Sequence, residues 1–230
     1  MIDYTKEFGP SPAAVHHPGV SLGVSNVFVR VYGWMTAGLV VSGLVAWYTV
    51  ASGLYQKVLT GPGYLGCVVA ELALVFILSA AYRKLPPVVA ALMFIGYAAL
   101  NGLTLSIILL AFDLGLVQQV FFITAGMFLG LAIYGTVTKS DLSSIGSLCG
   151  MALWGLIIAG VANLFFRSSG LDFALSFIGI LVFTGLTMYD AKRIKYLDDS
   201  TGIIGALMLY LDFVNLFLYI LRFMSKRNND

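Results

Sequence analysis

The sequence predicts an all-α membrane protein with seven transmembrane helices. Of its 230 residues, 60% are apolar and only 10% are charged, whereas a soluble domain carries about 25% charged residues. The mean hydropathy is +0.94. Apolar runs of about twenty residues, the length that crosses a hydrocarbon core, recur along the chain. The net charge of +2 is too small to indicate a nucleic-acid partner.

Seven apolar runs are bounded by charged residues or by turn-forming residues such as Gly61-Pro62-Gly63 and Pro86-Pro87. Within the runs, the charged residues are Glu71 and Asp212. The connecting loops are short and leave no room for a second folded domain. The runs are Val31–Gln56, Leu65–Tyr82, Leu85–Phe112, Leu114–Thr138, Leu142–Phe166, Phe173–Tyr189 and Ile203–Leu221.

Three parts are expected along the chain. Residues 1–26 contain Pro10, Pro12 and Pro18 and few large apolar residues, which indicates a mostly disordered cytoplasmic tail. This segment is not a signal peptide, because it lacks a basic n-region and the apolar run that follows is too long. Residues 27–225 form the transmembrane domain, and residues 226–230 form a short basic tail.

The positions of Lys and Arg predict the orientation in the membrane. With the N-terminus in the cytoplasm, the inner side holds eight of the 13 basic residues and the outer side holds five. The internal loops favour this orientation, although the basic C-terminal tail opposes it. We therefore expect a cytoplasmic N-terminus and an external C-terminus.

Two carboxylates, Asp190 and Asp212, lie at the end of the sixth run and inside the seventh. The midpoint between them is Thr201, inside the turn that joins the two helices, so a helical hairpin would bring both to the same depth. A charge at membrane depth is costly and is a functional candidate. Two carboxylates that share a site do not both ionise easily, as in a proton sensor or a cation site. The alternative for Asp190 is a helix-end residue at the water boundary.

A polar stripe follows the seventh helix. Asp212, Asn215, Tyr219 and Arg222 are spaced by three, four and three residues, which places them on one helical face. Such a stripe faces protein or water rather than lipid, so helix seven is predicted to be central. Interhelical hydrogen bonds alone are the alternative explanation.

Further contacts between helices are expected. Glu71 in helix two and Arg222 in helix seven are predicted to form a structural ion pair. Arg83, at the inner end of helix two, is a candidate latch for the aspartates or an interface anchor. Three glycine pairs are expected to allow close helix packing. These pairs are Gly38–Gly43, Gly126–Gly130 and Gly155–Gly160.

Four segments carry a resemblance to a known family: Val31–Gly38, Asn101–Ser106, Phe183–Asp190 and Leu209–Leu218. Together they resemble the Bax inhibitor-1 family, also called the transmembrane BAX inhibitor motif family, in its bacterial inner-membrane branch. The resemblance implies seven helices around a central last helix, and a pH-sensitive calcium leak gated by an aspartate pair.

Asp190 and Asp212 fall on the aspartate pair of that family, and Arg83 corresponds to the arginine that latches it. After Asp190 this chain has Ala191-Lys192-Arg193-Ile194, where family members often have Thr-Gln-Lys-Ile. The departure adds a charge beside the pair, so the pH midpoint of the family does not carry over.

Three functions compete. The first is a pH-gated leak channel or exchanger for Ca²⁺ or another cation, with Asp190, Asp212 and Asn215 on the ion pathway. The second is a regulatory membrane protein that acts on a membrane protease or on stress or cell-death machinery. The third is an intramembrane enzyme, which is disfavoured because His-Glu-x-x-His is absent and no glycine stands immediately before Asp212. No cofactor is expected.

A tight metal site is not expected either. Ca²⁺ takes six to eight oxygen ligands. The two aspartates and Asn215 provide too few, so any Ca²⁺ at Asp190 and Asp212 would be transient.

Overall fold

The computed structural model describes residues 20–58, 61–81, 84–197 and 202–227. It confirms the seven helices, all of them long and apolar enough to span a membrane. A single helical turn, Tyr55–Val58, precedes the second helix, and a 3₁₀ turn, Ile194–Tyr196, follows the sixth. The helices are α1 Val20–Ala51, α2 Pro62–Ala81, α3 Pro87–Ala111, α4 Leu114–Val137, α5 Ser143–Phe166, α6 Ser169–Arg193 and α7 Gly202–Arg227.

The two predicted tails are shorter than expected where the structure describes them. Helix α1 begins at Val20, so residues 20–26 are helical rather than part of a disordered tail. Residues 20–26 contain no proline, the residue that most strongly opposes helix continuation, so the helix can include them. At the other end, α7 continues to Arg227, inside the predicted basic tail. Residues 1–19 lie outside the described residues.

Helix α6 extends beyond its apolar run at both ends. It begins at Ser169, and the side chain of Ser168 accepts a hydrogen bond from the Leu171 backbone N–H. Asp172 lies in the first turn, while Lys192 and Arg193 lie in the last turn. Each charge has the sign that the helix dipole favours at its end. Charged residues therefore mark the ends of the apolar run but not of the helix.

Helix α7 is the centre of the bundle, as predicted. In its 18-residue apolar window 61% of the residues are buried, against at most 33% in the corresponding window of any other span. It contacts α1, α3, α4 and α6. Its buried apolar residues, among them Phe213, Leu216 and Ile220, face these neighbours rather than lipid.

The other helices are arranged in pairs around α7. α1 packs along α3, and α2 packs against α3 on its far side. α4 and α5 both pack against α6. Helix α6, which carries Asp190, therefore packs against three helices, whereas α2, which carries Glu71, has α3 as its main neighbour.

Glycines bring several helices into backbone contact, but most are not the predicted ones. A Cβ atom added at Gly102 would lie 2.4 Å from the Ser42 carbonyl oxygen, and one at Gly135 would lie 2.2 Å from the Met188 carbonyl oxygen. A Cβ at Gly185 would lie 2.4 Å from the Cys149 sulfur. These contacts join α1 to α3, α4 to α6 and α5 to α6.

Of the predicted glycines, Gly38 packs closely, with the Phe94 ring 2.7 Å from an added Cβ. The other five predicted positions were wrong, because nothing lies within 4 Å of a Cβ at any of them. Two of the pairs have a spacing of five residues, which does not return to the same helical face. The pair Gly126–Gly130 has a suitable spacing but lies on an open face of α4.

Candidate functional site

A cavity of about 770 Å³ lies inside the bundle, lined mainly by α2, α3, α6 and α7. Its walls are largely apolar, but polar and charged side chains enter it from each of these four helices. Asp190 and Asp212 both line it, so the structure brings the two aspartates to one cavity.

Asp212 is 3% exposed, and no hydrogen-bond partner meets its Oδ2 atom among the described residues. Asp190 lines the same cavity. A buried carboxylate oxygen without a partner is costly. A proton, a cation or water bound at this oxygen would remove this cost.

The four residues of the predicted α7 stripe, Asp212, Asn215, Tyr219 and Arg222, all line the cavity. The Asn215 amide donates to the Leu211 carbonyl oxygen of its own helix at 2.8 Å. The guanidinium carbon of Arg222 lies 5.9 Å from the centre of the Tyr219 ring, within the range of a cation–π contact. The stripe therefore runs from a carboxylate at one level to a guanidinium about three helical turns away.

On α6, the face toward the cavity carries Phe183, Leu186 and Asp190. The hydroxyls of Thr184 and Thr187 donate to carbonyl oxygens of their own helix, each at 2.7 Å, and neither residue lines the cavity. Asp190 is thus the polar residue that α6 contributes to the cavity wall.

The predicted ion pair between Glu71 and Arg222 was wrong. Both residues line the cavity, but the Glu71 carboxylate accepts a hydrogen bond from the Thr104 hydroxyl at 2.7 Å. The reason is the packing of the helices: α2 lies against α3, which places a hydroxyl directly beside the carboxylate. At the C-terminal end of α7 the ion pair in the described residues joins Lys226 to Asp172, with N and O 2.6 Å apart.

A buried hydrogen-bond network that the sequence analysis missed joins three helices behind the cavity. The Tyr210 hydroxyl donates to Asn101 Oδ1 at 2.9 Å and lies 2.6 Å from Ser42 Oγ. Tyr210 is completely buried, and the rings of Phe94 and Tyr97 meet it edge-on, with centroids 5.7 Å away in each case. Polar side chains within apolar spans, here Ser42, Asn101 and Tyr210, were the available signal in the sequence.

The comparison with protein families agrees with this geometry. Residues 24–229 match the family described as "Inhibitor of apoptosis-promoting Bax1". The chain belongs to the Bax inhibitor-1 family. The resemblance inferred from the four sequence segments is therefore confirmed.

Bacterial relatives of this Bax inhibitor-1 family member match over nearly the whole chain. Inner membrane protein YbhL of Escherichia coli strain K12 is 40% identical over 218 residues, which cover 89% of this chain and 93% of the relative. An uncharacterised protein of Borreliella burgdorferi is 40% identical over 220 residues, covering 90% and 95%. One of Deinococcus radiodurans is 39% identical over 215 residues, covering 89% and 92%.

Two predictions remain: the latch at Arg83 and the transient metal site at Asp190 and Asp212. Arg83, the candidate latch, lies outside the described residues. Within the described ranges, no group of three or more His, Cys, Asp or Glu side chains could hold a metal ion. A cation at Asp190 and Asp212 would have to complete its shell with water, because Ca²⁺ needs six to eight oxygen ligands.

Proposed function

We propose that the protein is a pH-sensitive leak channel or exchanger for Ca²⁺ or another cation, gated by Asp190 and Asp212. The observation that carries the proposal is the position of both carboxylates on one cavity inside the bundle, with Asp212 3% exposed and its Oδ2 lacking a partner among the described residues. Intramembrane carboxylates mark ion pathways and proton relays in other membrane proteins.

The pair supplies a physical basis for gating. Carboxylates that interact strongly take up and release protons as a unit, so two apparent titration steps belong to the pair. When a proton is shared, the two side chains can hydrogen-bond to each other and hold α6 against α7. When both are ionised they repel each other, unless a cation bridges them. Proton concentration and cation occupancy therefore act on the same contact.

The remaining polar residues fit a pathway rather than a storage site. Beyond Asp212, the cavity offers Asn215, Thr104 and Glu71 as oxygen-bearing side chains at separate positions. Separate, weak sites favour passage of an ion, because binding must be loose enough for the ion to leave. This arrangement also favours transport over catalysis, and we propose that the protein is not an enzyme.

For location, we propose the bacterial inner membrane, by analogy with the relative named inner membrane protein YbhL. We place the N-terminus in the cytoplasm and the C-terminus outside, because the predicted loops on the N-terminal side hold more Lys and Arg. The α6–α7 hairpin, with Asp190 near its base, then opens toward the cytoplasm.

The test is Ca²⁺ flux into liposomes that contain the purified chain, measured with an enclosed fluorescent indicator from acidic to mildly alkaline pH. We expect flux that changes with pH, and a flattened pH profile for Asp190→Asn and for Asp212→Asn. Asp113→Asn is the matched control, because Asp113 caps α4 outside the spans and asparagine is an equally good cap.

Two results would count against the proposal. If both cavity variants keep the native pH midpoint, Asp190 and Asp212 are not the gate. If the native chain transports no cation at any pH while remaining folded, the protein belongs to the alternative class, a regulatory protein that acts on a membrane protease or on stress machinery.

A further inference from the structure

A second pocket, of about 420 Å³, lies at the end of the bundle where α4 ends, α5 begins and α6 ends. It is separate from the aspartate cavity, and its lining is rich in positive charge. Lys139 comes from the loop between α4 and α5, while Lys192 and Arg193 come from the last turn of α6. The rings of Tyr189 and Tyr196 complete the wall.

Internal contacts fix the walls of this basic pocket. The Lys192 ammonium donates to the Ser140 carbonyl oxygen and ties the end of α6 to the loop. The Asp141 carboxylate accepts from the backbone N–H of Ser143 at 2.9 Å and from its hydroxyl at 2.5 Å. Leu142, at 3% exposure, is buried between them. The pocket is therefore formed before any ligand binds.

The charge balance favours an anion. Three cationic side chains face one carboxylate, that of Asp141. Hydrogen bonds from Ser143, together with the charge of Lys192, hold the pKa of Asp141 below its usual value, so this carboxylate is ionised at neutral pH. Even so, the pocket has a net charge of +2, and its two tyrosines can supply hydroxyl donors.

The position of the pocket selects the kind of anion. It lies where three membrane-spanning helices end, at the level that phospholipid headgroups occupy. The helices that end or begin at the pocket carry exposed apolar side chains: Val137 on α4 is 72% exposed and Leu148 on α5 is 64% exposed. A headgroup in the pocket would leave its acyl chains beside these side chains. Basic pockets between membrane helices are known to take anionic headgroups.

We propose that this pocket binds a phosphate-bearing anion, the headgroup of an anionic phospholipid. Lys139 and Arg193 contact the phosphate, and Lys192 holds the α6 end in place while adding its charge. Asp141 limits the affinity by its opposite charge. The pocket has a different lining from the aspartate cavity, and its binding test does not depend on transport.

The experiment measures lipid binding to the purified full-length chain by native mass spectrometry in detergent. The probes are phosphatidylglycerol, phosphatidylcholine and inorganic phosphate. We expect phosphatidylglycerol to bind more tightly than phosphatidylcholine, which has no net charge. Each basic residue near a headgroup contributes roughly a factor of five in affinity, so Lys139→Gln/Arg193→Gln should weaken phosphatidylglycerol binding about 30-fold.

Three further variants test the charge argument. Lys57→Gln/Lys84→Gln removes two charges outside the pocket, so it should bind phosphatidylglycerol like the native chain. Lys139→Arg/Arg193→Lys keeps the charge and should also retain binding. Asp141→Asn removes the opposing charge while keeping a capping side chain. It should tighten binding about fivefold, the reverse of what damage to the fold would produce.

The outcomes are distinguishable. Equal phosphatidylglycerol binding by the native chain and Lys139→Gln/Arg193→Gln would overturn the proposal, as would equal losses in the pocket variant and the Lys57/Lys84 control. If inorganic phosphate competes fully with phosphatidylglycerol at equal concentration, the pocket takes soluble phosphate and its assignment to a lipid headgroup is wrong. An unexpected lipid-binding result for any of these variants would not affect the test of Asp190 and Asp212, which measures cation flux.

Discussion

The contact between α4 and α6 at Gly135 can be tested with the smallest side chain available. In Gly135→Ala, the new Cβ would lie 2.2 Å from the Met188 carbonyl oxygen, whereas ordinary contact begins at 3.4 Å. The two helices would therefore have to separate by about 1.2 Å, the difference between these distances. The obstacle is backbone, so a change of rotamer cannot relieve it.

The expected magnitude follows from two opposing effects. Overpacking of this kind costs about 1–3 kcal/mol. Replacing glycine by alanine inside a helix contributes about 0.5–1 kcal/mol in the other direction. Gly130→Ala, on the same helix, has the second effect without the first, because nothing lies within 4 Å of its Cβ. The difference between the two variants therefore isolates the clash.

Thermal unfolding of the two variants in the same detergent measures this difference. A clash of about 2 kcal/mol corresponds to a midpoint about 4–8 °C lower for Gly135→Ala than for Gly130→Ala. Met188 lies two residues before Asp190, so the pH profile of cation flux should also shift in the first variant and not in the second. Equal midpoints for the two variants would refute the assignment of Gly135 as a backbone contact.

Three further outcomes are expected. Tyr210→Phe should lower the free energy of unfolding by about 1–3 kcal/mol, because it leaves the amide oxygen on α3 without its donor; an unchanged thermal midpoint would exclude that role. A double-mutant cycle on Asp172 and Lys226 should give a small coupling of about 0.2–1 kcal/mol, since the two side chains are 36% and 28% exposed; a coupling well above this range would contradict their exposure. The hydrogen bonds from Ser143 lower the pKa of Asp141 from 3.8, so this contact stabilises the fold above pH 3.8, and the stabilisation is lost as pH falls through the lowered pKa. The difference in thermal midpoint between the native chain and Asp141→Asn should therefore shrink at acidic pH. A difference that stays constant with pH would argue against this role of Asp141.

The features that were predictable from the sequence depend on local periodicity or on chain position. Spacings of three and four residues put Asp212, Asn215, Tyr219 and Arg222 on one face whatever the neighbours are, and all four line the cavity. The central position of α7 followed from the same stripe, because polar side chains at membrane depth have to face protein or water.

The features that were missed depend on which helices are neighbours. The Glu71 carboxylate accepts a hydrogen bond from Thr104 because α2 packs against α3. The spacing of residues within α2 does not show which helix is its neighbour. Gly135 and Gly102 occur without a paired glycine at helical spacing, and their role comes from the carbonyl oxygens of other helices. The predicted sixth run, Phe173–Tyr189, is shorter than α6, because the charged residues that flank the run were interpreted as lying outside the helix. They lie in its first and last turns, where they stabilise it.

The last turns of α6 are where the separate features of the molecule meet. Met188 touches the α4 backbone at Gly135, Asp190 faces the cavity, and Arg193 lines the basic pocket. Arg193 also lies three residues after Asp190 on α6, a spacing that makes the two side chains neighbours on the helix surface. A ligand that holds Arg193 in the pocket would therefore bear on both the position and the electrostatic environment of Asp190. These residues lie within six positions on one continuous helix, so a displacement of the α6 end at the pocket would also move Asp190.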